Sequence, residues 1–180
     1  MIIADQLRQK NLTEYLLYMW QVEDILRAYG CDSELLRKEY LSRFELDDSC
    51  RRKTEQWYAD LCEMMRTEGK TEHGHLQINL NTQQKLTELH DRLLRSSHFP
   101  YYREMYYKVL PYIVELRTKH ADHEAGELQI CLEMLYGLLL LRLQKKEISP
   151  ETERSAKDIS TLLGQLSDYY RKDQEAPLEL

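Results

Sequence analysis

Apolar side chains recur along this chain at alternating spacings of three and four. Leu12, Tyr15, Met19, Val22, Leu26 and Tyr29 form the first such row, and Leu16, Trp20 and Ile25 widen it. That spacing lines one face of an α-helix. A helix is therefore predicted from about Asp5 to Tyr29, with an apolar face broad enough for two neighbours. Gly30 ends it by supplying the left-handed conformation of a C-terminal cap. Asp32 or Ser33 caps a second helix that buries Leu36, Tyr40 and Phe44. After the break at Asp47-Asp48-Ser49, a third helix carries two apolar rows, Trp57-Leu61-Met64 and Tyr58-Cys62-Met65, and Gly69 closes it.

The pattern changes at 70–80. Leu76, Ile78 and Leu80 alternate with His75, Gln77 and Asn79, and period two reads as extended chain. With no second strand to pair with, this stretch is expected to be an extended loop on the helices or an arm exchanged between subunits. Asn81 and Gln84 then resemble a capping box, opening a fourth helix with Leu86, Leu89, Leu93 and Ser97 inward. A fifth starts at Pro100, with Tyr102, Tyr106, Val109, Ile113 and Leu116 as its seam. Pro111 predicts a kink or a split there. A sixth, about Ala125 to Lys146, is apolar nearly all round and so predicts the central helix; Glu133 and Arg142 interrupt it too often for a membrane span. Ser149-Pro150-Glu151 starts a seventh, with Ala156, Ile159, Leu163, Leu166 and Tyr170 inward. The expected fold is all-α: one antiparallel helical bundle of six to seven helices over residues 1–180, frayed from about Asp173.

Composition agrees. Good helix formers dominate and valine is scarce, which argues against a large sheet. The net charge of −6 disfavours nucleic acid or an anionic membrane as partner. The basic triplet Arg51-Arg52-Lys53 is balanced by Asp47 and Asp48. Cys31, Cys50, Cys62 and Cys131 form no Cys-x-x-Cys pair, and Met1 to Asp5 has no signal-peptide character. A reducing, cytoplasmic setting is expected, with the thiols as small non-catalytic core residues.

Four places invite chemistry. His120, His123, Glu124 and Glu127 are the nearest thing to a metal constellation: two imidazoles and two carboxylates at near-helical spacing could hold a divalent transition metal. The spacing matches no known metal motif, and a solvated, charged helix start is the plainer reading; no cofactor is otherwise expected. His73-Gly74-His75 is a weaker pair in a loop. Glu23, beside Trp20, is read first as the ion-pair partner of Arg27 four residues on, and second as a buried acid poised for a ligand or proton. Thirteen tyrosines stand against two phenylalanines. Tyr102 and Tyr106 belong to the densest cluster, which suits core edges, an interface or a hydroxyl-lined pocket. Nucleotide-binding glycine loops, nucleophile elbows and calcium loops are absent from the sequence.

The opening Ile3-Ala4-Asp5-Gln6, Asn11-Leu12 and Glu14-Tyr15-Leu16-Leu17-Tyr18-Met19-Trp20-Gln21-Val22-Glu23-Asp24 resembles an uncharacterised domain-of-unknown-function family found mainly in Bacteroides and related bacteria. The resemblance implies a bacterial cytoplasmic protein and assigns no activity or residues. The residues themselves point to a non-enzymatic bundle acting on itself or on another protein. A metal-dependent enzyme and a binder with a Tyr-lined pocket between the fifth and sixth helices are the alternatives.

Overall fold

The computed structural model describes residues 2–120, 122 and 124–179. Its helices are α1 (Ile2–Lys10), α2 (Leu12–Ala28), α3 (Ser33–Glu39), α4 (Asp48–Thr67), α5 (Gln77–Arg95), α6 (Pro100–Lys119), α7 (Glu127–Leu143) and α8 (Pro150–Glu175), with a 3-10 turn at Leu41–Arg43. No strand occurs among the described residues. The all-α bundle expected from the spacing is what the chain forms.

Side chains cap several helix starts. Asp32 accepts from the amides of Glu34 and Leu35, Asp47 from those of Ser49 and Cys50, and Ser149 from that of Thr152. Each satisfies amides that a helix leaves unpaired at its start. Gly30, Gly69 and Gly74 hold φ values of +62°, +66° and +82°; the first two lie just beyond the ends of α2 and α4.

Two helices hold the centre. The α2 row Leu12, Tyr15, Met19, Val22 and Leu26 is buried, with Leu16 and Trp20, and α2 packs against α1, α4, α5, α7 and α8. The long α8 buries Ile159, Leu162, Leu163 and Leu166 and packs on α1, α2, α5, α6 and α7. The Thr13 hydroxyl donates to the Leu163 carbonyl (3.2 Å) and lies 2.9 Å from Ser167 Oγ, tying the two together. The Lys108–Asp158 ion pair and the Phe99–Tyr169 ring contact fix α6 and α8 antiparallel.

Four expectations are corrected. The first helix is two helices, because Asn11 takes an extended conformation (φ −154°) and caps α2 through the amides of Thr13 and Glu14. Residues 77–80 are the first turn of α5, neither an extended loop nor an exchanged arm, and Asn81 lies inside that helix rather than capping it. Pro111 does not split α6. It sits on the exposed face, where the Tyr107 carbonyl it leaves without an amide partner can bond to water. The apolar α7 is not the central helix: Leu128, Ile130, Cys131 and Leu132 in its first half are buried, but Leu138 alone is buried in the second half and Leu143 is 66 % exposed. No helix among the described residues is long and apolar enough to cross a membrane.

Replacing Asn11 with alanine should cost about 1 kcal/mol of unfolding free energy by urea titration, the usual value of an N-cap side chain.

Candidate functional site

The most buried charge is Glu23, with no exposed surface. Three donors from one short stretch of chain meet it. His75 Nδ1 donates to Oε2 (2.6 Å), and the Leu76 amide (2.9 Å) and Asn79 Nδ2 (2.6 Å) donate to Oε1. No local side chain caps α5, so a carboxylate from α2 occupies the positive end of its dipole instead. Trp20 stacks on the His75 ring at 4.2 Å, and Tyr136 of α7 meets Trp20 edge-on. The Tyr136 hydroxyl donates to Asp24 (2.5 Å).

The expected Glu23–Arg27 pair does not form. Arg27 binds Asp24 (2.8 Å) and reaches the carbonyls of Lys70 and Gly74, because Glu23 points inward while Asp24 lies on the solvent side. Trp20 and Glu23 thus share one interior network that fastens the loop before α5. Sequence spacing could not have paired residues 52 positions apart.

A second constellation gathers Tyr102, Tyr106 and Glu127. Its centre is His90, 4 % exposed, whose only signal in the sequence is a histidine on the Leu86–Leu89–Leu93 face. The wholly buried Tyr102 phenol lies 2.6 Å from His90 Nδ1. Burial holds that phenol far above its ordinary value, so it keeps its proton and donates to Nδ1. The imidazole proton then sits on Nε2. Burial also pushes the His90 pKa down, favouring the neutral ring. Nε2 has no hydrogen-bond partner in the protein; Glu127 Oε2 is 3.9 Å away. The Glu127 carboxylate is 3.7 Å from the Arg117 guanidinium. Burial first, then Glu127, pushes the Tyr106 phenol up to about 12. A cleft of about 350 Å³ opens here at the start of α7, lined by His90, Asp91, Arg117, Glu124 and Glu127 among others.

The third feature is a groove of about 420 Å³ between α6, α7 and the start of α8. Tyr112, Leu116, Met134, Leu138 and Leu141 contribute apolar surface, with Glu115, Lys119, Glu133 and Glu151 among the polar lining residues. Gly137 also lines it, in the interior of α7.

The metal candidates are not brought together. His120 caps α6 and binds Glu133 through Nε2. Glu124 is exposed, and Glu127 belongs to the cleft beside His90. His123 lies outside the described residues. Among the described residues no group of three or more His, Cys, Asp or Glu side chains is placed to hold an ion. His73 and His75 also part company, since His75 alone joins the Glu23 network. The cysteines are unpaired, and burial pushes Cys62 up to about 11 and Cys131 up to about 12, so these two thiols stay protonated at neutral pH.

Two outcomes follow from this geometry. Glu23→Ala should lower stability by about 3 kcal/mol, because it strands the Leu76 amide and the Asn79 side chain away from water; hydrogen exchange should show the first turn of α5 opening first. The Glu133 carboxylate, and after it the Asp122 carbonyl, raise the His120 pKa above the ordinary value of about 6.5. An NMR titration should find that elevation, and Glu133→Gln should reduce it. Because the folded-state value is the higher one, the pair stabilises the fold at low pH and the contribution fades as pH rises through the His120 pKa.

No curated protein and no solved structure matches the chain. Over residues 1–176 it matches the family described as a domain of unknown function, DUF4924, and it belongs to that family.

Proposed function

We propose that the protein works by binding rather than by catalysis, docking an amphipathic helix of another protein in the groove between α6, α7 and α8. The observation that carries this reading is Gly137. Inside a helix, glycine costs about 1 kcal/mol relative to alanine. A Cβ built at Gly137 meets nothing within 4 Å, so no packing within the chain calls for glycine there. Its use is to let a foreign backbone approach closely. Around it Met134, Leu138 and Leu141 line the groove, with Met134 and Leu141 half-covered, the kind of apolar strip that helix-in-groove recognition uses.

Charge selects the occupant. Glu115, Glu133 and Glu151 line the groove; Lys119 pairs with Glu115 and His120 with Glu133, which leaves Glu151 as the carboxylate open to an incoming cation, and the chain carries −6 overall. A second copy would bring like charge to that surface, whereas a helix with lysine or arginine at both ends is attracted. The same balance disfavours nucleic acid and anionic membranes. The unpaired cysteines support a reducing, cytoplasmic setting, and the reading calls for no cofactor.

The test is fluorescence anisotropy with a labelled helical peptide bearing leucines at one-turn spacing and lysines at both ends. Binding should weaken about tenfold, equivalent to roughly 1.4 kcal/mol, when Gly137→Gln fills the groove or when glutamates replace the flanking lysines. Equal binding of both peptides, or indifference to Gly137→Gln, would overturn the reading. So would a dimer in sedimentation that Gly137→Gln dissolves, since the groove would then belong to a second copy. Gly137→Ala should leave the fold intact and raise its stability by about 0.5–1 kcal/mol.

A further inference from the structure

We propose that the cleft at the start of α7 is a binding site for a small zwitterion of the α-amino-acid class, with its carboxylate on His90 and Arg117 and its ammonium toward Asp91 and Glu124. This site is separate from the groove and does not depend on it.

The donors come first. His90 is buried to 4 % exposure, its ring is held by the Tyr102 hydroxyl at 2.6 Å, and the residue helps to line the cleft. The Nε2–H of His90 has no partner in the protein, and neither has the buried Nε of Arg117. A buried donor left unpaired costs about 1–3 kcal/mol. Two of them on residues that line one cleft mark where an acceptor oxygen belongs. The start of α7 adds a third source: Gly126 is its N-cap residue and offers no side chain to the first-turn amides, which carry the positive end of the helix dipole.

Glu127 is not that acceptor. Its carboxylate stands 3.9 Å from His90 Nε2, beyond hydrogen-bond range, and is drawn instead to Arg117 at 3.7 Å and to the Tyr106 phenol. Its charge nevertheless counts, together with those of Asp91 and Glu124 on the same walls. A simple anion would satisfy the donors but face three carboxylates. A simple cation would satisfy the carboxylates but meet the Arg117 guanidinium and the helix N-terminus. A molecule with both charges a few ångströms apart suits both halves. The volume of about 350 Å³ lies at the lower end of the range of small-ligand pockets.

The experiment titrates the full-length protein with free L-amino acids, their N-acetyl derivatives and their methyl esters. It is read by calorimetry and by the nitrogen resonances of the His90 ring. At least one free amino acid should bind and move the Nε2 resonance, while its acetylated and esterified forms bind at least tenfold more weakly. Arg117→Met, which removes a half-exposed side chain and spares the core, should weaken binding about 10–100-fold, the equivalent of one lost charge-assisted hydrogen bond. Glu124→Gln should weaken the free amino acid while leaving its N-acetyl derivative unchanged. The proposal is overturned if no amino acid binds at about 10 mM, a free energy weaker than roughly −3 kcal/mol. It is equally overturned if blocked and free forms bind alike, or if saturating ligand leaves the His90 ring unmoved.

Discussion

The Glu23 carboxylate sits where water does not reach it, and it is tolerable there only because His75, Leu76 and Asn79 all turn donors toward it. Removing one partner of such a buried charge is far more damaging than replacing the whole arrangement with apolar groups. The constraint therefore runs from α2 into the start of α5 and sets where that helix begins. A helix rises 1.5 Å per residue, so fixing Leu76 fixes His90 about 20 Å further along the same rod. Asn79, Leu86, His90 and Leu93 share its inward face. The second constellation inherits its position from the first.

The α7 helix carries the opposite lesson. Its sequence is apolar on every side, yet the chain supplies neighbours for only part of it. The helix packs on α2, α5, α6 and α8, but its buried side chains concentrate in the first half, and the second half leaves Leu139, Leu140 and Leu141 half-covered. Because the hydrophobic effect is roughly proportional to the area removed from water, a sequence that keeps leucines on an uncovered face forgoes solubility without gaining stability from them. That imbalance, and the glycine placed within it, are the grounds for a partner outside the chain.

Much of this was legible from spacing. The α2 row, the α8 row, the Asp32 and Ser149 caps, the break at Asp47-Asp48-Ser49 and the Gly30 and Gly69 stops are where the pattern put them. What failed did so for a physical reason. At 76–80 the helical period was disguised, because the inward positions after Leu76 are Asn79 and Thr82, polar residues on a buried face. Asn79 points inward to serve Glu23, a residue 56 positions away. A long-range polar contact thus removed the local apolar signal that would have announced the helix. The same holds for Glu23 itself: i,i+4 geometry offered Arg27, but the loop carbonyls of Lys70 and Gly74 claimed that guanidinium first. For the candidate sites, residue types were partly readable and their grouping was not. Tyr102, Tyr106 and Glu127 converge only once α5, α6 and α7 meet, around a histidine that looked like ordinary core.

The excess of tyrosine over phenylalanine becomes intelligible in the same terms. In sequence, thirteen tyrosines fit a core edge, an interface or a pocket equally well. In the fold, several spend the ring on packing and the hydroxyl on a buried or half-buried partner. Tyr102 serves His90, and Tyr58 bonds with Tyr18 and Tyr40. Phenylalanine would fill each site but leave the facing polar atom unsatisfied, which costs more than the hydrogen bond itself is worth. Tyr101 and Tyr107, at 78 % and 65 % exposure, carry no such obligation. The buried tyrosines are thus part of how this bundle admits polar groups to its interior, and the His90 cleft is the place where that accommodation stops short, with two buried donors left without a partner in the protein.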